Sequence, residues 1–473
     1  MGGGGRKGRR ALRRLLSLLL LVSWAGPVAL ATPAPWTPET LLARVERRWP
    51  GLEAARQAVT AAEARLSEAR YAPYLRARVQ AGLSMAPEQR GTVLTSPDSQ
   101  LPLTNPWQPV AAVRASGAVP LYTFGKLEAA VEAGEAGVQA AEALERRARQ
   151  RLRHQVLRAY FGLQLALDAE ALFGEAEGWL RRARRRLQRA LEDEEDGVGP
   201  SDEHRLTLAA ATLAARRAEL RRMRHTAEAA LAELLGDGSD AVRIADCPAE
   251  PVRLREASLE QWQRRAEAQR PELRALAAAV RAAGARRAAT RAGAWPDLAV
   301  AWEAGISWAP GITDQRNPFV RDPANYQDLS AGLVLRWSLD PVGSHFRSRR
   351  EAARWRQQRA RLQEAVHGVR LEVAEAFEAW RAATGALEAW ADGERTARRW
   401  VVSALQGYEV GTSSARELVD ALKAYVEARW SRLRAVHDLN VAASRLLLAA
   451  GVDEGPQGGW QPPCEPLEDE GGE

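Results

Sequence analysis

The sequence carries one pattern twice, about 220 residues apart, and few folds can be written that way. Tyr71-Ala72-Pro73-Tyr74-Leu75 opens one alternating segment, and Ala294-Trp295-Pro296-Asp297-Leu298 opens another. Upstream lies helical sequence beginning Arg48-Trp49-Pro50-Gly51-Leu52 in the first copy and Gln269-Arg270-Pro271-Glu272-Leu273 in the second. Downstream, Pro120-Leu121-Tyr122-Thr123-Phe124-Gly125 is echoed by Leu339-Asp340-Pro341-Val342-Gly343, each leading into a very long helical run. The runs break at comparable points, Gly197-Val198-Gly199-Pro200-Ser201 and Glu409-Val410-Gly411-Thr412-Ser413.

Four segments stand out from a background rich in helix-forming Ala, Leu, Arg and Glu. Leu75, Ala77, Val79, Ala81, Leu83 and Met85 alternate with Arg76, Arg78, Gln80, Gly82 and Ser84. Ala111, Val113, Ala115, Gly117, Val119 and Leu121 form a second set, with Arg114 and Ser116 opposite. The second copy repeats this with Leu298, Val300, Trp302, Ala304, Ile306 and Trp308, then Leu329, Ala331, Leu333, Leu335, Trp337 and Leu339. Alternation over about 11 residues predicts a strand with one apolar and one polar face, long enough to cross a bilayer at a tilt. Proline-rich loops, about 87–109 and 310–325, join the strands of each pair. Soluble hairpins packed on helices are the alternative. If the strands span a membrane, two hairpins cannot close a barrel, because lipid tolerates no unpaired edge. Several chains must then combine.

The first residues read as a secretory signal peptide: Arg6, Lys7, Arg9, Arg10, Arg13 and Arg14 precede an apolar run over Leu15–Val22, and Ala29-Leu30-Ala31 offers a cleavage site. Losing these six basic residues lowers the net charge from +7 to about +1, so the basic balance gives no argument for nucleic acid. No stretch of about 20 apolar residues follows. Cys247 and Cys464 stand in proline-rich sequence, and whether they pair is left open. No metal-ligand spacing, phosphate loop or nucleophile–base set is present, so neither cofactor nor enzyme activity is expected. The six histidines are expected on solvated helix faces.

From about 126 to 191 no proline interrupts a three- and four-residue apolar spacing through Leu127, Val131, Gly134, Val138, Ala141, Ala148, Leu152, Val156, Ala159, Leu163 and Ala166. Such spacing packs helices side by side, over a length of roughly 100 Å. A second run, about 345–406, carries Trp355, Leu362, Val366, Val369, Val373, Phe377 and Trp380. Return helices are expected over about 202–235 and 414–450, each closed by a glycine, Gly236 and Gly451.

Together these features resemble the TolC-like outer-membrane efflux proteins over essentially the whole mature chain. The resemblance rests on the doubled order of helix, strand pair, long helix and return helix. It also rests on Arg270-Pro271-Glu272-Leu273 and on Gly407-Tyr408-Glu409-Val410-Gly411-Thr412 followed by Leu418-Val419-Asp420-Ala421. It implies a mainly α protein with β: long antiparallel helical hairpins and four membrane strands per chain. As a homotrimer it would build a twelve-stranded outer-membrane barrel continuous with a helical periplasmic tunnel. The implied partners are a periplasmic adaptor and an inner-membrane transporter; drugs, metals or secreted proteins would leave passively. A structural coiled-coil envelope protein and an adaptor without a pore are the alternatives.

The resemblance also implies a constriction at the tunnel's inner end, with Glu417 and Asp420 as carboxylate rings and Tyr408 as a closing contact. Three residues apart, the two carboxylates share a helix face, and a threefold axis would make of them a cation-attracting ring. Where the family's closing salt-bridge network has an arginine, this chain has Ser413, with Arg416 nearby and Asp202, Glu203 and Arg205 at the first turn. Gly199, Ser201, Gly411 and Ser413 are expected at the hairpin turns, and Pro120, Gly125, Pro341 and Gly343 at the strand-to-helix bends. The expected organisation is a signal peptide (1–31), a first repeat (32–236), a linker (237–268), a second repeat (269–451) and a disordered acidic tail (452–473).

Overall fold

The structure, a computed structural model, describes residues 35–74, 76–88, 106–193, 199–236, 242–245, 249–254, 257–311, 322 and 324–453. The expected signal peptide, both cysteines and the tail beyond 453 lie outside these residues. The first copy runs α1 (Pro38–Arg48), α2 (Pro50–Tyr71), β1 (Ala77–Pro87), β2 (Trp107–Tyr122), α3 (Lys126–Glu192) and α4 (Pro200–Leu235). The second runs α5 (Leu259–Gln269), α6 (Pro271–Ala292), β3 (Asp297–Trp308), β4 (Tyr326–Arg336), α7 (Pro341–Glu409) and α8 (Ala415–Ala450). Corresponding helices have 11 and 11, 22 and 22, 67 and 69, and 36 and 36 residues.

The duplication therefore reaches further back than the sequence suggested. Helix α5 falls inside the segment expected to be a linker, and it is the counterpart of α1. Both begin at a capping box, Thr37 with Thr40 and Ser258 with Gln261, which satisfies the first free amides. Both end at a residue held extended by the proline that follows: Trp49 at φ −65, ψ 118 and Arg270 at φ −64, ψ 122. Proline then starts α2 and α6, where its missing N–H costs nothing.

The four strands form one antiparallel sheet in the order β1-β2-β3-β4. Its register puts all four apolar sets on one face: Leu83 faces Ala111, Ala111 faces Trp308, Ala304 faces Leu329 and Val300 faces Leu333. The other face carries Gln80 opposite Arg114, Ser116 opposite Glu303 and Asp297 opposite Arg336. In the single chain the apolar face is bare, with Leu83 84% and Leu329 80% exposed. β1 and β4 each pair on one side only. Exposed aromatic side chains mark both ends of this face, Trp107 and Trp308 at one and Tyr122, Phe124, Trp295 and Trp337 at the other. The 12 residues of β3 span about 28 Å in height at the usual tilt, close to an outer-membrane apolar band. β4 ends at Arg336, short of the expected Trp337 and Leu339, because Asp340 already caps α7.

Below the sheet the helices form two storeys joined by the continuous α3 and α7. Above the waist α3 packs on α2 and α6, and α7 on α6; below it α3 packs on α4 and α8, and α7 on α8. The innermost residues of α3 near the sheet are Ala129, Ala136 and Ala143, at heptad spacing. The expected seam of Leu127, Val131 and Val138 is only half-buried beside them. Small side chains therefore line α3 where it packs on the equally alanine-rich α6 (Ala275, Ala278, Ala283, Ala285).

At the waist, α1 and α5 close over a core that includes Leu41, Leu157, Tyr160, Phe161, Trp262, Val373 and Leu447. Charges are buried here too. Arg270, 2% exposed, pairs with Glu372 of α7 and lies 3.4 Å from Glu272 through Nε. Glu272 also pairs with Arg147 of α3, which donates to the Leu448 carbonyl at 3.4 Å near the end of α8. Gln150 donates to the Gly451 carbonyl at 3.1 Å. His154 departs from the expected solvated face: it meets the buried Ser444 at 2.9 Å, and burial with nearby arginines holds its pKa below the ordinary value.

Candidate functional site

The lower storey ends in two hairpin tips. Their core is formed by Leu180, Ala183 and Leu187 of α3, Leu206 and Leu213 of α4, Val401, Ala404 and Tyr408 of α7, and Leu418, Leu422 and Tyr425 of α8. Residues 194–198 of the first turn lie outside the described residues. Gly199 precedes α4, its amide donating to Asp202 at 3.4 Å, and Ser201 lies in the first helical turn. Asp202 also pairs with Arg205 at 3.2 Å.

The second turn is fully described. Gly411 takes φ +82, a left-handed conformation that strains any residue with a Cβ. The amides of Thr412 and Ser413 donate to the Gly407 carbonyl at 2.8 and 3.1 Å, closing the end of α7. Ser414 then caps α8 by accepting from the Glu417 amide at 3.2 Å. Ser413 belongs to the turn itself and offers no charge.

Tyr408 is buried at the end of the tip core. Burial pushes its phenol pKa up, Asp202 adds to the rise and Arg186 opposes it. Glu417 and Asp420 are both exposed on α8, but their surroundings differ. Asp420 lies 3.9 Å from Arg416 and borders a groove of about 1000 Å³ between α4 and α8, also lined by Arg205, Arg416 and Lys423. Glu417 does not line the groove and has no ion-pair partner among the described residues. Asp420 is thus partly offset by neighbouring cations, whereas Glu417 is not. The spacing of the two carboxylates was legible in the sequence; this inequality was not.

The bend positions sit where the sheet hands over to helices. Pro120 lies in β2 beside a register shift between Pro120 and Tyr122, and Gly125 takes φ +88 immediately before α3. Pro341 starts α7, and the Gly343 amide donates to Asp340 Oδ1 at 2.8 Å. Lys126 secures the junction by reaching Asp297 at 2.7 Å and the Trp295 carbonyl at 2.9 Å. Sequence reasoning missed the junction contacts of Lys126 and the capping role of Asp340. An aspartate before proline and glycine is a helix-start signal that could have found Asp340. Among the described residues no group of His, Cys, Asp or Glu converges as a metal site, and no helix is long and apolar enough to cross a membrane.

The family profile described as "Outer membrane efflux protein" matches residues 41–237 and 262–452, one span for each copy. Comparison with curated protein sequences gives no match. Among solved structures, the open state of the Neisseria gonorrhoeae MtrE outer membrane channel is 19% identical, with a TM-score of 0.70 over 88% of this chain and 89% of that one. The outer membrane protein VceC of Vibrio cholerae is 16% identical, TM-score 0.67, over 88% and 96%. The Campylobacter jejuni CmeC outer membrane channel is 15% identical, TM-score 0.67, over 90% and 86%. At these identities the likeness is one of fold.

Proposed function

We propose, for a chain that belongs to the outer membrane efflux protein family, that three copies close into one tube, a barrel in the membrane and a helical tunnel below it. The chain is an outer-membrane efflux channel with its helices in the periplasm. The observation that carries the assembly of several copies is the sheet. A bare apolar face across all four strands suits lipid, and two open edges demand partners. Three sheets supply twelve strands, within the range of known outer-membrane barrels. The polar face, with Arg114, Glu303 and Arg336, would line the lumen.

The duct performs no chemistry; substrates move down it because an efflux pump delivers them. A periplasmic adaptor and an inner-membrane transporter complete the path, and selection among drugs, metals or secreted proteins occurs there. The tip is the constriction. Glu417 and Asp420, triplicated about the axis, draw cations toward the opening, and Glu417 dominates because Arg416 and Lys423 offset Asp420. Tyr408 anchors the second turn to the tip core.

Outer-membrane fractionation with an SDS-resistant trimer assay tests the assembly; a soluble monomer would refute it. For the constriction, purified protein in planar bilayers should show a small cation-preferring conductance. Glu417→Ala should weaken that preference more than Asp420→Ala. Equal selectivity in wild type and both variants would remove these carboxylates from the constriction.

A further inference from the structure

The two copies differ in charge just below the sheet. The first twenty residues of α3 hold one lysine and five glutamates, and those of α7 hold six arginines and one glutamate. Both helices descend from a strand pair and occupy the same place in their copy, so the fold does not require the arginines. Arg347 pairs with Asp340 at 2.9 Å, and Arg350 and Arg354 pair with the buried Glu351 at 3.1 and 2.8 Å. Arg349 and Arg356 have no ion-pair partner among the described residues, and neither do Arg287 and Arg291 of α6.

These four share the outward side of the groove between α6 and α7. Trp355 of α7 meets α6: its ring lies 5.3 Å from the Arg287 guanidinium and its Nε1 3.7 Å from where a Cβ on Gly284 would stand. Residues on the polar face of β1 bond toward β2, and Glu88, continuing that face, donates its amide to the Pro106 carbonyl at 2.8 Å. For L-residues this sets α6 to the right of α7 as seen from the membrane. On a right-handed helix running down from the sheet, the residue after one that faces right looks outward. Arg356 follows Trp355, and Arg349 stands two turns above it on the same face. Arg291 lies one turn above Arg287 on α6.

Arg291 comes four residues before Trp295, part of the exposed aromatic edge of the sheet. Arg349 is about 12 Å below the start of α7. Side chains lean toward the N-terminus of their own helix, so those of α7 rise toward the sheet and those of α6 descend. Arg291 and Arg349 therefore converge near the headgroup layer, which reaches about 5–8 Å beyond the hydrocarbon. Between them, Arg287 Nε is buried without a hydrogen-bond partner. On the far side of α6, the exposed Glu128 and Glu132 of α3 repel anions and confine the basic surface to this groove.

We propose that the outward groove between α6 and α7 binds the phosphate of an anionic phospholipid in the periplasmic leaflet, through Arg287, Arg291 and Arg349, with Arg356 below them. The inference rests on the outer-membrane reading given above. Guanidinium suits phosphate because it offers paired N–H donors in a fixed plane. Continuity with the lipid-facing side of the sheet names the source, since headgroups already lie at this depth.

The test is native mass spectrometry of the purified trimer titrated with phosphatidylglycerol, phosphatidylcholine or inorganic phosphate. Wild type should hold phosphatidylglycerol at least tenfold more tightly than phosphatidylcholine. Arg291→Gln with Arg349→Gln should weaken that binding about thirtyfold, from about 1 kcal/mol for each arginine at a membrane surface. If this double variant does not assemble, each single variant should cost about fivefold. Arg347→Gln with Arg361→Gln removes equal charge from the opposite face of α7 and should leave lipid binding unchanged. Equal affinity of wild type for the two lipids, no loss in the outward variants, or an equal loss in the opposite-face variant would overturn the inference and leave the channel standing. Inorganic phosphate bound as tightly as phosphatidylglycerol would overturn the lipid assignment in favour of a free anion. A wild-type chain that forms no trimer in the outer membrane would overturn the outer-membrane reading, and this inference with it.

Discussion

Replacing Arg270 by alanine tests how the waist is held. The side chain is 2% exposed and lies between Glu272 of its own joint and Glu372 of α7. Removing one member of a buried ion pair costs about 3–5 kcal/mol, because the other charge stays behind without compensation. Here two circumstances reduce the cost. Glu272 keeps Arg147, and the Glu372 side chain is 40% exposed and regains water. Arg270→Ala should therefore sit near the lower end, about 3 kcal/mol. In detergent, at a fixed scan rate because unfolding of such an assembly is irreversible, this should lower the melting temperature by roughly 5 °C. A second substitution separates charge from packing. In Arg270→Met with Glu372→Leu the stranded carboxylate is gone and the volume is refilled, so more than half of the loss should return. Wild-type melting in Arg270→Ala, or a double variant no better than the single, would refute the reasoning.

Other consequences are as direct. Gly236 and Gly451 close α4 and α8 at nearly the same φ, +68 and +67, but a Cβ on Gly451 would lie 2.7 Å from Arg270 Cα while one on Gly236 meets nothing. Gly236→Ala should cost about 1 kcal/mol and Gly451→Ala clearly more, by thermal melting. On the sheet, a Cβ on Gly117 would lie 2.7 Å from Trp302 Nε1 and 2.8 Å from the Arg76 carbonyl, whereas Gly82 has open space; Gly117→Ala should reduce the trimer band on gels and Gly82→Ala should not. Burial raises the Tyr160 phenol from 10.0 to about 12. Between those values the unfolded chain loses a proton that the folded chain keeps, so stability should fall as pH rises from about 10 to 12. Tyr160→Phe should abolish that part of the alkaline loss in melting curves taken across this range.

The helices and strands were legible because their signals are local. Period-2 alternation placed the four strands, and the closing glycines at 236 and 451 are where chain chemistry requires them. Helix α5 was missed because it is short and sits in proline-rich surroundings, although Ser258 and Gln261 spell a capping box. Along α3 the expected spacing met the core at Leu152, Val156, Leu163 and Ala166, but near the sheet it passed over Ala129, Ala136 and Ala143, because small residues stand out least in a reading of apolar spacing. The roles of Arg147 and of Arg270, though Arg270 stands in the quoted Arg270-Pro271-Glu272-Leu273 motif, were illegible for a different reason. In helices this rich in arginine nothing local distinguishes a buried or bridging guanidinium from a solvated one, and only the arrival of another helix does so.

The unbroken passage of α3 through the waist has a mechanical meaning. From Leu157 in the waist core to Leu187 at the tip the helix runs about 45 Å without a joint, so it acts as a lever with its fulcrum among buried residues. A rotation of about 5° at the waist would carry the tip sideways by about 4 Å over that arm. Gain of this kind converts side-chain adjustments too small to disturb a packed core into displacements comparable with the width of a small solute.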